Sequence, residues 1–123
     1  MIFTGTVRPG RGLGKRLGCA TANVSLPHPP PRTTWGVYAC TVTLPDGERH
    51  RGVAHLGPAA AVGDRTPTLE VHLLEFSGDL VGQELGVELL TRLRETRDFP
   101  TLLALAEQIA KDVAAAREYF AKS

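Results

Sequence analysis

The sequence contains few cysteines, few aromatic residues and no marked excess of charge of either sign. Two cysteines, Cys19 and Cys40, are too few for a disulfide framework and lack the spacing of metal ligands, so we expect two reduced thiols. Fourteen Lys and Arg residues against thirteen Asp and Glu leave a formal charge of +1. Proteins that bind nucleic acids usually carry a clear basic excess, so no nucleic-acid partner is expected.

Long apolar runs are also missing. No run approaches the ~20 residues that a membrane-spanning helix needs, and residues 1–5 lack the basic and apolar regions of a signal peptide. We therefore expect a cytoplasmic protein with no membrane partner. Hydrophobic residues nevertheless make up 42% of the 123 residues, which suffices for the core of one domain over residues 1–123.

The residue pattern predicts a mainly β fold. Short segments rich in β-branched and aromatic residues are separated by turn residues, and they predict strands over residues 2–8, 35–44, 48–56, 68–76 and 84–92. Such short strands joined by turns indicate an antiparallel barrel or sandwich rather than a parallel sheet. Four prolines within residues 27–31 exclude a helix or a central strand. They predict an extended surface connection, with a mobile flap as a further possibility.

The C-terminal region changes to a helical period. Its apolar residues recur three and four positions apart: Leu102, Leu105, Ala106, Ile109, Val113, Ala116 and Phe120. One amphipathic helix packed across the barrel is therefore predicted. Asp98 or Thr101 is expected to cap it, with Pro100 in its first turn.

A basic, glycine-rich segment follows the first predicted strand. Backbone amides that no Cβ shields suit the close approach of an anion such as a phosphate, and the segment places a lysine among them: Gly10, Gly12, Gly14, Lys15 and Gly18. Neither the P-loop nor the dinucleotide-binding fingerprint fits its spacing. A surface hairpin whose glycines only form turns is an equally weighted alternative.

Three polar side chains downstream are candidates for chemistry. Thr21 and Asn23 offer neutral oxygens, the kind of ligand that a phosphate-bound Mg²⁺ accepts. Strand alternation places Glu70 and His72 on one face, where the carboxylate could serve as a general base towards a hydroxyl. The alternative is a solvated strand face, and an exposed sheet histidine is the expectation for His72.

Many short motifs occur together along the chain. They are Gly5-x-Val7, Gly10-x-Gly12-x-Gly14-Lys15-x-Leu17-Gly18, Ala20-Thr21-Ala22-Asn23, Gly36-Val37-Tyr38, Gly52-Val53-Ala54, Leu69-Glu70-Val71-His72, Phe76-x-Gly78-Asp79-Leu80-x-Gly82, Leu93-Arg94 and Phe99. In this order and spacing the chain resembles the riboflavin kinases, both the stand-alone enzymes and the C-terminal kinase module of bifunctional bacterial FAD synthetases. The resemblance covers essentially the full length and implies a free-standing, monomeric kinase domain.

The resemblance also implies a fold and an activity. The fold is a six-stranded Greek-key antiparallel β-barrel with a C-terminal helix packed on it. The activity is transfer of the γ-phosphate of ATP to the ribityl 5′-hydroxyl of riboflavin, giving FMN and ADP with Mg²⁺ as the metal. No other cofactor is implied.

The resemblance assigns roles to individual residues. Glu70 is the catalytic base, and Thr21 and Asn23 help to hold Mg²⁺ and phosphate. The glycine-rich segment lies over the nucleotide, which involves Gly10, Gly12, Gly14, Lys15 and Gly18 together with Thr21 and Asn23. The flavin side is formed around Arg94, Glu95 and Phe99.

The chain departs from the family pattern at several places. Ala20 stands where the family has proline, and His55-Leu56-Gly57 with residues 58–62 replaces a segment that usually carries Asn, Arg and Thr. Val81 and Thr96 differ as well. These departures motivate two alternatives, a weak or inactive flavin- or nucleotide-binding module on the same fold and a kinase for a modified flavin.

Overall fold

The chain forms six β-strands and one long helix. A computed structural model describes residues 1–9, 20–58 and 66–122. Its strands are β1 (Ile2–Arg8), β2 (Ala20–Val24), β3 (Gly36–Thr43), β4 (Arg49–Pro58), β5 (Pro67–Leu73) and β6 (Glu84–Arg94), and its helix is α1 (Leu102–Ala121), with a short 3-10 turn at Arg32–Thr34.

The six strands close into a barrel in the order β1-β2-β5-β4-β3-β6, and every neighbouring pair is antiparallel. Strand β2 lies beside β5 and not beside β3, which is the Greek-key arrangement of a meander and a returning strand. The predicted six-stranded antiparallel barrel with one C-terminal helix is confirmed. Closure pairs every strand on both sides, so no long sheet edge is left open.

Strand alternation separates an inner core from an outer wall. The inner face of the barrel is filled by small and branched side chains, among them Ala22, Val71 and Leu85, each without measurable exposure. Outward-facing apolar residues of β3 and β4 form a second cluster with α1, in which Val53 groups with Ala116 and Phe120. The helix therefore covers part of the outer wall.

The start of the helix confirms Thr101 as the cap and corrects the expectations for Pro100 and Leu102. Thr101 is the N-cap, because its hydroxyl accepts a hydrogen bond from the Ala104 amide at 3.1 Å. Pro100 therefore precedes the cap and is not part of the first turn. Leu102 is 54% exposed, because it lies in the first turn ahead of the packed stripe that begins at Leu105.

Several strand bounds also differ from the prediction. Strand β2 alternates apolar and polar residues, but it is short and contains Ala and Asn, which are weak strand formers, so the sequence pattern did not predict it. Strand β5 ends at Leu73 because the chain turns at Leu74 and Glu75, where Glu75 adopts a left-handed φ of 55°.

The proline-rich connection is fastened to the barrel near its end. The Trp35 indole donates to the Pro30 carbonyl at 3.1 Å, and the Thr34 hydroxyl donates to the Pro31 carbonyl at 2.6 Å. Pro30 itself is buried. These contacts fix the C-terminal part of the connection against β3.

Cys40 is a free, buried thiol, and burial raises its pKa to about 12, so it stays protonated and unreactive at neutral pH. Cys19 lies outside the described residues. Within the described segments, no helical stretch combines the length and the apolar character that crossing a membrane requires.

Gly5 marks a close approach between β1 and the residue that follows β2. A Cβ at Gly5 would lie 2.0 Å from the Ser25 carbonyl oxygen, whereas a Cβ at Gly86 on β6 would meet only the Thr43 Cβ at 3.8 Å. The backbone of Ser25 is held in place by a hydrogen bond from its amide to the Thr6 carbonyl at 2.9 Å.

We expect Gly5→Ala to lower the free energy of unfolding by about 1–3 kcal/mol, because the barrel must open locally to admit the methyl group. Gly86→Ala is the matched control and should stay within about 0.5 kcal/mol of wild type. Urea unfolding of both variants measures the difference. Equal midpoints for the two variants would contradict the close-approach argument.

Candidate active site

The outer wall of β5 carries the predicted carboxylate. Leu69, Val71 and Leu73 point into the barrel core, so Glu70 and His72 point outwards, as the alternation predicted. The Glu70 side chain is 13% exposed and so is not a solvated surface group.

The expectation that His72 is exposed is wrong, since only 3% of this residue is accessible. Its cross-strand neighbours are Thr21 on β2 and Val53 on β4. Val53 belongs to the cluster that α1 covers. An outward-facing histidine is therefore enclosed by neighbouring strands and by the helix.

The barrel register brings the separated sequence motifs together. Asn23 lies directly opposite Glu70, and Thr21 lies directly opposite His72. Directly opposed residues share a face, with Cβ atoms about 4.5–5.5 Å apart. Two strands thus place the three predicted oxygen-bearing residues in one patch on the outer wall.

A chain of polar contacts links three of these side chains. The Thr21 hydroxyl lies 3.1 Å from His72 Nδ1, and His72 Nε2 lies 3.4 Å from Glu70 Oε1. Burial lowers the pKa of His72, although the charges of Glu70 and Asp112 act in the opposite direction. The imidazole is therefore neutral at physiological pH.

A second histidine flanks Glu70 on its other side. His55 on β4 is opposite Glu70 in the sheet register. Burial lowers its pKa to about 4, assisted by the positive charge of Arg94 and by His72 and opposed by Asp112. The sequence marked His55 only as a departure from the family pattern, and the register places it beside the candidate base.

Arg94 joins the end of β6 to the helix. Its Nε and Nη2 donate to the two carboxylate oxygens of Asp112 at 2.8 and 2.9 Å, and its Nη1 donates to the Glu95 carbonyl at 2.9 Å. Its guanidinium also lies 5.7 Å from the Phe99 ring centroid. Three nitrogens of Arg94, a predicted flavin-side residue, thus already donate hydrogen bonds within the protein.

Asp112 was missed by the sequence reasoning. It is 5% exposed and also accepts a hydrogen bond from Gln108 at 3.0 Å. A signal was present, because Asp112 falls between Ile109 and Ala116 at helical spacing and so lies on the apolar stripe. A carboxylate at such a position needs a buried partner, and Arg94 supplies it.

The other flavin-side predictions lie nearby. Glu95 is exposed, while Phe99 is partly buried against Leu105 and Ile109. The predicted nucleotide residues Gly10, Gly12, Gly14, Lys15 and Gly18 lie outside the described residues, as does the segment 59–65 that contains most of the altered loop.

An open cleft of about 500 Å³ adjoins the polar patch. Its lining includes Arg8, Asn23, Ser25, His28, Thr68 and Leu69. Asn23 therefore faces both Glu70 and this cleft. Arg8 adds a positive charge that suits an anionic ligand.

The donor set of the patch fits one kind of metal ion. The Thr21 hydroxyl and the Asn23 amide offer neutral oxygens on one face, and Mg²⁺ binds through a few protein oxygens while keeping waters and substrate phosphates. Among residues 1–9, 20–58 and 66–122, no group of three or more His, Cys, Asp or Glu side chains forms a metal site.

The fold is a closed barrel that carries a patch of polar residues on its outer wall. The family model described as Flavokinase: Riboflavin kinase matches residues 1–120. The chain belongs to the riboflavin kinase family.

Individual relatives agree with this assignment. The bifunctional riboflavin kinase/FMN adenylyltransferase of Pseudomonas fluorescens is 44% identical over 122 residues, which is 98% of this chain and 39% of that protein. The RNA-binding riboflavin kinase RibR of Bacillus subtilis is 36% identical, and the match covers 97% of this chain and 51% of that protein. The chain spans about two fifths of the length of the first bifunctional relatives.

A solved structure supports the fold as well. The riboflavin kinase of Trypanosoma brucei superimposes with a TM-score of 0.61 at 25% identity, covering 98% of this chain and 80% of that one.

We expect Asp112→Ala to lower the free energy of unfolding by about 3–5 kcal/mol, because it leaves the Arg94 charge without its partner at a mostly buried position. Thermal and urea unfolding measure the loss. The double variant Arg94→Met/Asp112→Leu should recover most of it, since no unpaired charge remains.

Glu118→Ala on the same helix is the control, because its ion pair with Lys122 is exposed and should leave the midpoint nearly unchanged. Equal losses for Asp112→Ala and Glu118→Ala would contradict the special position of Asp112.

Stability should fall with acidification because of His55. Its pKa is about 4 in the folded chain against 6.5 ordinarily, so the unfolded chain binds a proton first. The contribution of His55 to the free energy of unfolding is fully present above pH 6.5. It is lost as the pH falls towards 4, and the loss is at most about 3 kcal/mol. His72 acts in the same direction.

Urea unfolding between pH 7.5 and 5 should show a free energy of unfolding that decreases with falling pH. The His55→Asn variant should have a smaller slope of this free energy against pH. His28→Asn, at an exposed position, is the matched control and should keep the wild-type slope. An unchanged slope in His55→Asn would exclude this origin.

Proposed function

We propose that the chain is an ATP-dependent riboflavin kinase that transfers the γ-phosphate of ATP to the ribityl 5′-hydroxyl of riboflavin, giving FMN and ADP. The observation that carries the proposal is the direct cross-strand pairing of Asn23 with Glu70 beside an open cleft. Membership of the riboflavin kinase family supports the same reaction.

Glu70 is proposed as the general base. It is a largely buried carboxylate on a rigid strand, and it would accept the proton of the ribityl hydroxyl as that oxygen attacks phosphorus. A positioned base of this kind contributes about 10²–10⁴-fold to a rate. Most of the remaining acceleration in phosphoryl transfer comes from alignment and charge neutralisation.

Thr21 and Asn23 are proposed to hold the magnesium–nucleotide complex. The ion would supply positive charge against the phosphate oxygens. The strand fixes both side chains on the Glu70 face, so the nucleotide would lie against β2 with Arg8 nearby. Part of its cover is assigned to the glycine-rich segment: Gly10, Gly12, Gly14, Lys15 and Gly18.

The flavin is proposed to bind on the side of Arg94, Glu95 and Phe99. The register places His55 between Glu70 and β3, whose Val37 is paired with both His55 and Arg94. A flavin at this end of the wall would bring its ribityl chain towards Glu70. Arg94 would act there mainly through its stem and its planar face, since Asp112 occupies its fork.

The proposal includes a cytoplasmic monomer of one domain with no nucleic-acid partner. The near-neutral charge of the chain supports the absence of a nucleic-acid partner, although one relative is named as RNA-binding. A fluorescence titration with RNA, beside one with riboflavin, separates the two possibilities.

We expect Glu70→Gln to lower kcat for FMN formation by about 10²–10⁴-fold, because the amide keeps the shape but cannot accept the proton. The assay uses riboflavin with Mg·ATP and separates FMN chromatographically. Glu84→Gln, an exposed position on β6, is the control and should retain wild-type turnover.

The same assay separates the alternatives. Riboflavin binding without FMN formation by the wild-type protein would favour a non-catalytic binding module. A higher kcat/KM for a modified flavin would favour the other alternative, for which the position of His55 beside Glu70 is the motivating observation.

A further inference from the structure

Among the described residues, His72 is the one whose side chain contacts both Thr21 and Glu70. Its Nδ1 lies 3.1 Å from the Thr21 hydroxyl and its Nε2 lies 3.4 Å from Glu70 Oε1. The two ring nitrogens point to opposite sides of the ring. One imidazole therefore spans the gap between a proposed nucleotide ligand and the proposed base.

The chemistry of the partners gives the direction that these two contacts take in the proposed arrangement. The His72 Nε2–Glu70 Oε1 contact is an ion-pair distance of 3.4 Å, and because an ionised carboxylate can only accept, the proposal assigns the ring hydrogen to Nε2. In a neutral imidazole the other nitrogen is then an acceptor. With that tautomer, the Thr21 hydroxyl donates to Nδ1 at 3.1 Å.

We propose that His72 is a positioning residue that orients both halves of the active site, an inference that rests on the proposed kinase function. By accepting a hydrogen bond from the Thr21 hydroxyl, it leaves the lone pairs of the Thr21 oxygen free to face a cation. By holding Glu70 Oε1, it leaves Oε2 to take the substrate proton. In this arrangement His72 would contact neither substrate nor phosphate and would act through Thr21 and Glu70.

The surroundings of His72 support this role over simple packing. A 3% exposed polar ring in an apolar wall is costly unless both nitrogens are satisfied, and a leucine would fill the same place without that cost. The charged or titratable groups around it are Glu70 on its own strand, His55 on β4 and Asp112 on α1. Among the described residues, none of these three groups makes the contact to Thr21, which comes from His72.

The first test is the tautomer, which does not depend on activity. In ¹⁵N-labelled protein at pH 7.5, the imidazole of His72, assigned by its absence from His72→Gln, should be neutral with hydrogen on Nε2. A neutral ring with hydrogen on Nδ1 would overturn the proposal, because Thr21 would then be an acceptor from His72. A ring protonated on both nitrogens would overturn it too.

The second test separates the two contacts. His72→Asn keeps a polar group near the Nδ1 position but is too short to reach Glu70, so kcat should fall by about 10–100-fold while Mg·ADP affinity stays near wild type. His72→Gln keeps a group near Nε2 and loses Thr21, so Mg·ADP affinity, measured by calorimetry, should fall by about 10–100-fold with a smaller change in kcat.

His50→Gln is the matched control, because His50 lies on β4 and packs against Phe76 away from the patch. It should change neither quantity. Equal effects of the two His72 variants on kcat and on Mg·ADP affinity would overturn the proposal, as would variants indistinguishable from the control. A wild-type protein that forms no FMN would reject the proposed function, while the tautomer and the Mg·ADP affinities would still decide the role of His72.

Discussion

The structure depends on one constraint, the alternation of side chains along β5 in a closed barrel. Leu69, Val71 and Leu73 are locked inside, so Glu70 and His72 can only point outwards. A shift of one residue in register would exchange the two sets. Burying the three core residues therefore also fixes the position of the candidate base.

The same constraint extends to the neighbouring strands. Antiparallel register places Asn23 on β2 and His55 on β4 on either side of Glu70. The polar patch is a row across the sheet, and its side chains inherit the rigidity of backbone pairs on both sides. Groups held on strands in this way are positioned more precisely than groups on loops. Such precision suits a reaction that depends on the alignment of its reactants.

The sequence predicted most of the barrel because its strands are short, β-branched and separated by turns. It missed β2, because this alternating segment has only five residues and contains Ala and Asn, which are weak strand formers. The face of Glu70 was predictable from local alternation. The burial of His72 and the pairing of Arg94 with Asp112 were not, since both depend on contacts between residues distant in sequence.

The Arg94–Asp112 pair limits what the proposed flavin end of the wall can do. A guanidinium that already donates to both oxygens of a buried carboxylate and to the Glu95 carbonyl has few donors left for a substrate. Its net charge is also largely balanced by Asp112. Selectivity at this end must therefore come from shape, from the Phe99 ring and from neutral polar groups, of which His55 is the nearest to Glu70 in the register. His55 is thus well placed to determine which flavin the proposed base can reach.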